Sequence, residues 1–228
     1  MQSGVLFDLD ETLVDRRGTL LDYAQVLHSQ FESHFKVGLQ EFLSSVATLD
    51  NYGQTPRQEF FSGISALTED FLTPTQIGVL YYTTAWLRPR LMPDAEALLK
   101  KLRVNGIPVA IVTNGQTQSQ RAKIVNAGLD KLVDHIVISE EFGQRKPDAA
   151  IFNQAIEALG VKSVKNWFIG DNPGADIIGA NQAGCNTIWL QRYLDWPTDQ
   201  ANCFNHKASN LEEVSDLLFS EIELVGKL

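Results

Sequence analysis

The feature that constrains this chain most is an alternation that begins near residue 93, where short β-branched apolar runs are separated by amphipathic stretches. Pro108–Val112, His135–Ile138, Trp167–Ile169 and Thr187–Leu190 read as strands, while 116–127, 148–159 and 173–183 carry helical spacing. Gly128, Gly160 and Gly184 stand where these helices should stop, because glycine enters the left-handed backbone of a helix C-terminus without steric penalty. Apolar strands separated by helices are strands covered on both faces, so the pattern predicts a parallel sheet. Val5–Phe7 adds one strand at the start. The expected fold class is α/β, a doubly wound parallel sheet.

Between that first strand and the alternation the texture changes. Apolar residues recur at spacings of three and four through 20–35, 39–49, 59–67 and 75–87, which predicts four helices and no strand. Thr73 before Pro74 has the form of an N-cap followed by proline in the first turn, and Thr55 with Pro56 repeats it. The expected organisation is a core of residues 1–14 and 91–228 carrying a four-helix insert, residues 15–90. Tyr81, Tyr82 and Trp86 lie at helical spacing and are expected inside that insert.

Composition narrows the function classes. With 44% hydrophobic residues among 228, a buried interior is expected, and a formal charge of -9 disfavours nucleic-acid binding through a general basic face. Any phosphate must be met by a local pocket of donors. Cys185 and Cys203 are too few for a disulfide framework and lie in no zinc-ligand spacing, so both are expected as buried thiols. The N-terminal apolar stretch, 4–7, is too short for a signal peptide and no run approaches the roughly 20 residues that span a bilayer, so the cytoplasm is the expected compartment, with no membrane partner.

Four polar clusters follow four of the expected strands, at the carboxyl ends where open parallel sheets bind ligands. The first strand runs into Asp8-Leu9-Asp10-Glu11-Thr12, two acids at i and i+2 that repel unless a cation or shared proton compensates. Thr113-Asn114-Gly115 offers a hydroxyl, an amide and close backbone approach, all suited to phosphate oxygens. Arg145 and Lys146 precede Pro147, which is expected to open a helix. Gly170-Asp171 with Asp176 places two acids within reach of one hard cation, the simpler alternative being Asp171 as a helix N-cap before Pro173.

In this order the clusters resemble the four motifs of the haloacid dehalogenase superfamily, phosphatase branch, and the insert is similar to that superfamily's type 1 cap. The resemblance implies a phosphatase of small phosphate monoesters acting through an aspartyl phosphate. Asp8 is then the nucleophile and Asp10 the acid/base. Mg2+ is the cofactor, held by Asp8, the Asp10 carbonyl, Asp171 and Asp176. Thr113, Lys146 and backbone donors around Leu9 and Asn114 hold the phosphate. Asp10, Asp171 and Asp176 argue against the dehalogenase branch; a phosphosugar mutase and a non-catalytic phospho-ligand-binding protein remain as alternatives, while a receiver domain is about half this length. Glu11 stands where glycine is frequent in the family, and has no assigned role. Arg16, Arg17, Asn51, Tyr52 and Arg57 are candidate specificity residues of the insert, although exposed helix ends explain them as simply. The expected substrate is a sugar phosphate, a nucleoside monophosphate or a phosphoglycolate-sized acid.

Overall fold

The computed structural model describes residues 3–69, 71–161, 166–199 and 201–226. The chain divides into two compact units, Met1–Asp15 with Leu91–Leu228, and Arg16–Arg90. In chain order the elements begin with β1 (Val5–Phe7), β2 (Val14–Asp15), α1 (Arg16–Gln30), α2 (Leu39–Asp50), α3 (Arg57–Ala66), α4 (Pro74–Thr84) and β3 (Arg90–Leu91). They continue with α5 (Ala95–Val104), β4 (Val109–Thr113), α6 (Thr117–Asn126), β5 (His135–Ile138), α7 (Ser139–Phe142), α8 (Ala149–Ala158) and β6 (Trp167–Gly170). A π-helical turn (Pro173–Ile178), α9 (Gly179–Gln182), β7 (Asn186–Leu190), β8 (His206–Ala208) and α10 (Leu211–Gly226) complete the chain.

The first unit is the doubly wound α/β fold. Among the described residues its main sheet has six strands, all parallel, in the order β5-β4-β1-β6-β7-β8. Period-two alternation sends Val5, Phe7, Val109, Ile111 and Ile169 to one face, against Leu98, Leu99 and Leu102 of α5 and Leu211, Val214 and Leu218 of α10. Leu6, Ala110, Val112 and Phe168 meet Ile151, Phe152 and Ala155 of α8 on the other. Each large side chain so buried contributes about 1.5–3 kcal/mol. β1 lies centrally, with Phe7 level with both Ile111 and Ile169. The chain steps outward from β1 to β4 and β5, then returns to β6 on the opposite side. In open parallel sheets such a reversal leaves a crevice at the carboxyl ends of the central strands.

Several elements differ from the sequence pattern. α5, α10 and the edge strand β8 fall outside the segments read as periodic, and the two-residue strands β2 and β3 touch the ends of a stretch expected to hold no strand. The single helix expected over 173–183 is a π-helical turn followed by one short α-turn. Gly128, Gly160 and Gly184 do take left-handed backbone just past their helices. Cys185 is buried, but Cys203 is exposed, contrary to expectation. Among the described residues no helix is long and apolar enough to cross a membrane.

Among its described residues the second unit has four α-helices. α1 starts at Arg16, earlier than its apolar spacing indicates, and ends before Phe35. Thr73 accepts from the Gln76 N–H while Gln76 reaches back to Thr73, a complete capping box with Pro74 behind it. Thr55 does not repeat this, since Pro56 occupies the N-cap and no side chain bonds there. Phe42, Phe60, Ile64, Ile77, Tyr81 and Trp86 are buried. Arg16 forms a bidentate pair with Asp50 at 2.7 and 2.6 Å, and Arg57 donates to the same carboxylate at 3.2 Å. The Gly53 N–H completes it at 2.9 Å. Burial pushes the Asp50 carboxyl up, but the hydrogen bonds and charges of Arg16 and Arg57 outweigh that and hold it below the usual carboxylate range. The Arg17 guanidinium lies over the Tyr52 ring, 5.0 Å from its centroid.

Candidate active site

β1 delivers Asp8 to the crevice. The Asp8 N–H still donates to the Ile169 carbonyl at 2.9 Å, so the residue is fixed to the sheet at the point where its side chain leaves the strand. The chain then folds back, with the Leu13 and Val14 N–H groups both donating to the Leu9 carbonyl at 2.9 Å. This turn puts Glu11 at φ 61, left-handed backbone, which is where glycine fits best. The Leu9 side chain is fully buried, leaving only its backbone for polar work.

Lys146 meets Asp8 from the loop before α8. Its Nζ lies 2.6 Å from Asp8 Oδ1 and 2.7 Å from Asp176 Oδ1. Asn114 grips the backbone that presents it: Oδ1 accepts from the Lys146 N–H at 2.9 Å, and Nδ2 donates to the Lys146 carbonyl at 3.0 Å. The helix itself is opened by Asp148, whose carboxylate accepts from the Ala150 N–H, rather than by Pro147.

Asp171 is not a helix cap. Asn172 holds that position, accepting from the Ala175 N–H at 2.9 Å, and Asp171 joins the acidic group. Trp189 on β7 donates its indole N–H to the Asp171 carbonyl at 3.0 Å. Asp176 folds back to accept from the Asn172 N–H at 3.0 Å. That placement requires Gly170, since a Cβ there would come within 2.6 Å of Asp176 Cγ. Carboxylate oxygens of Asp8, Asp171 and Asp176 lie within 4.8 Å of one another, and all three residues are buried.

The Asp10 side chain takes a different direction. Both its oxygens lie 2.7 Å from Lys123 Nζ, and Oδ2 also accepts from Gln120 Nε2 at 3.1 Å. The Thr113 hydroxyl oxygen accepts from the same Gln120 amide. The structure therefore gathers Asp8, Lys146, Asp171 and Asp176 and turns the Asp10 carboxylate to Lys123 and Gln120. Lys123 and Gln120 are missing from the motif reading. A glutamine and a lysine at i and i+3 on the face of α6 that also carries Ile124 were the available signal, since a buried lysine needs a partner.

The electrostatics are unbalanced. Burial, then the charges of Asp176 and Asp10, push the Asp8 carboxyl up to about 7 against the pull of Lys146. Burial, then Asp176, Asp8 and Glu11, drive Asp171 well above the usual range. Burial alone would lower Lys146, but Asp176 and Asp8 outweigh it and raise it. Asp8, Asp171 and Asp176 crowd together, and the Lys146 ammonium is shared between Asp8 and Asp176. A donor set made wholly of carboxylate oxygens, crowded and short of positive charge, fits a hard divalent cation such as Mg2+.

Residues 3–184 match the family model of the haloacid dehalogenase-like hydrolases. The chain belongs to this family. The resemblance carried by the four motifs is thus borne out, and the fold agrees with it. This HAD-like hydrolase is 32% identical over 205 residues to the ribulose-1,5-bisphosphate 5-phosphatase of Halopiger xanaduensis, covering 82% of this chain and 84% of that protein. It is also 32% identical over 202 residues to the glyceraldehyde 3-phosphate phosphatase of Methanopyrus kandleri, covering 84% and 85%. The phosphoserine phosphatase of Thermus thermophilus is 39% identical, but over 124 residues, about half of each chain. Among solved structures, the HAD-hydrolase YfnB of Bacillus subtilis, determined bound to magnesium, shares the fold at TM-score 0.74 and 23% identity, covering 95% of this chain and 98% of that one.

Proposed function

We propose that this HAD-like hydrolase is a Mg2+-dependent phosphatase of small phosphate monoesters that carries the phosphoryl group on Asp8. The observation that carries the reading is the Asp8 carboxylate, buried at the carboxyl edge of the central strand, held by Lys146 at 2.6 Å within a group of acids that has surplus negative charge. A phosphate dianion enters such a pocket only where cations meet it. Lys146 supplies one charge, and Asp8, Asp171, Asp176 and the Asp10 carbonyl are the donors we assign to Mg2+. When bound, the ion neutralises charge on the phosphate and its surroundings.

The residues divide the work. Asp8 Oδ attacks phosphorus, forming the acyl phosphate as the ester bond to the leaving oxygen breaks. Asp10 gives its proton to that oxygen, then takes one from the water that attacks phosphorus and returns Asp8 to a free carboxylate. Thr113, Lys146 and backbone N–H groups near Leu9 and Asn114 hold the remaining phosphate oxygens, because positioning and charge are most of what phosphoryl transfer demands. These groups recognise only the phosphoryl end. We therefore assign choice among sugar phosphates, nucleoside monophosphates and phosphoglycolate-sized acids to the helical residues 15–90, acting as a cap on a core of residues 1–14 and 91–228. The sugar-derived phosphates named for the two relatives at 32% identity support this substrate class.

A panel of phosphate monoesters, assayed with Mg2+ and again after chelation, tests the reading. Inorganic phosphate should appear, stop with chelator and return with added Mg2+. Isomerised product without released phosphate would make the protein a mutase. Saturable phosphate-ester binding with no turnover would make it a binding protein.

A further inference from the structure

We infer that Lys123 and Gln120 are positioning residues for the acid/base step, a clamp that holds the Asp10 carboxylate apart from the Asp8–Asp171–Asp176 group; this rests on the role given to Asp10 above. The clamp is continuous. Lys123 Nζ lies 2.7 Å from each Asp10 oxygen and donates to Gln120 Oε1 at 2.7 Å. Gln120 Nε2 donates to Asp10 Oδ2 at 3.1 Å, to Thr113 Oγ1 and to the Asn114 carbonyl at 3.2 Å. Gly115 makes room for the amide, because a Cβ at that position would stand 2.9 Å from Gln120 Cδ. Two residues of α6 thus converge on one carboxylate from the first motif, and Thr113 and the Asn114 carbonyl hold one of the two in place.

Two consequences follow for the reaction. Asp10 sits two residues from Asp8, and without an ammonium group of its own its carboxylate is free to turn toward the same cation that the other three acids attract. With Lys123 opposite, its side chain keeps a single direction while remaining 23% exposed, against 3% for Lys123. The exposed edge is the part that reaches a leaving group, and fixing an acid in one place is itself a large contribution to rate. The second consequence concerns Thr113. Because Gln120 N–H donates to its oxygen, the hydroxyl proton is left to point elsewhere, which suits donation to a phosphate oxygen.

Leaving groups separate this role from a purely structural one. An alkyl phosphate departs as a strongly basic alkoxide and needs the Asp10 proton, whereas p-nitrophenyl phosphate scarcely does. Because kcat/KM reports the steps up to phosphoryl transfer to Asp8, it isolates that demand. In Lys123→Met, kcat/KM for an alkyl phosphate such as glycerol phosphate should fall by about 10²-fold or more, and that for p-nitrophenyl phosphate by less than about 10-fold. Lys123→Arg should restore much of the alkyl rate. Gln120→Met, which leaves the ion pair in place, should shift the same ratio in the same direction by a smaller factor and serves if Lys123→Met does not fold. Equal losses on both substrates, or none, would overturn the clamp while leaving the phosphatase reading intact. A wild-type protein that turns over neither ester with Mg2+ would overturn both.

Discussion

Asp8 in the core unit and Asp50 in the helical unit are both buried aspartates, 7% and 3% exposed, yet their carboxyls are driven in opposite directions. Asp50 meets two guanidinium groups and a backbone N–H, and its carboxyl is held below the usual range. Asp8 shares one ammonium with Asp176, has further acids around it, and rises to about 7. Burial is common to both, so the ratio of acids to cations decides the sign. A buried acid that cations outnumber is held ionised and serves the fold. One crowded by other acids is costly to the fold and is a candidate for chemistry.

The largest expected effect that sharpens this contrast is Asp8→Asn, which should reduce phosphate release by about 10³-fold or more while leaving the metal-free fold as stable or more so. Steady-state assay beside thermal unfolding checks both halves, and a loss of stability would place Asp8 with Asp50 as a structural acid. Asp50→Ala should do the reverse to stability: stripping the partner from Arg16 should cost about 3–5 kcal/mol, read from denaturant unfolding.

The two acids should also give opposite pH dependences. Asp8 binds a proton more tightly in the fold than at its ordinary value of 3.8, so its contribution to stability is fully present below that value and is lost as pH rises through about 7. Asp50 binds its proton more weakly, so its contribution is present above the ordinary range and is lost as pH falls. In the metal-free protein the melting temperature should decline toward neutral pH by the equivalent of a few kcal/mol. Added Mg2+ should raise it more at pH 8 than at pH 5, and an equal rise at both would break the comparison. The smallest effect is Arg57→Met, which removes one partly exposed partner of Asp50 and should cost about 1 kcal/mol in the same unfolding measurement.

How legible each cluster was depends on the range of the contacts that make it. The first-motif acids, Lys146, Asp171 and Asp176 could be found because each follows an apolar strand, and strand ends on one edge of a parallel sheet are neighbours whatever their separation in sequence. Lys123 could not be found that way, since it sits within a helix where a lysine reads as an ordinary solvated position. Its meaning depends on α6 turning that face toward Asp10, 113 residues away. The pairing of Arg16 with Asp50, 34 residues apart, was hidden for the same reason, and Arg16 stood among residues that the sequence also allows for substrate choice.

The doubly wound sheet and the order of the four motifs are legible in the sequence, because periodicity and strand-end position are local properties of the chain. Which acid each cation meets is settled by folding. Folding put Asn172 rather than Asp171 at the helix cap, Asp176 back onto its own turn over Gly170, and Lys123 against Asp10. The physical reason is that charge balance in a buried pocket is set by distances of a few ångströms between residues far apart in the chain.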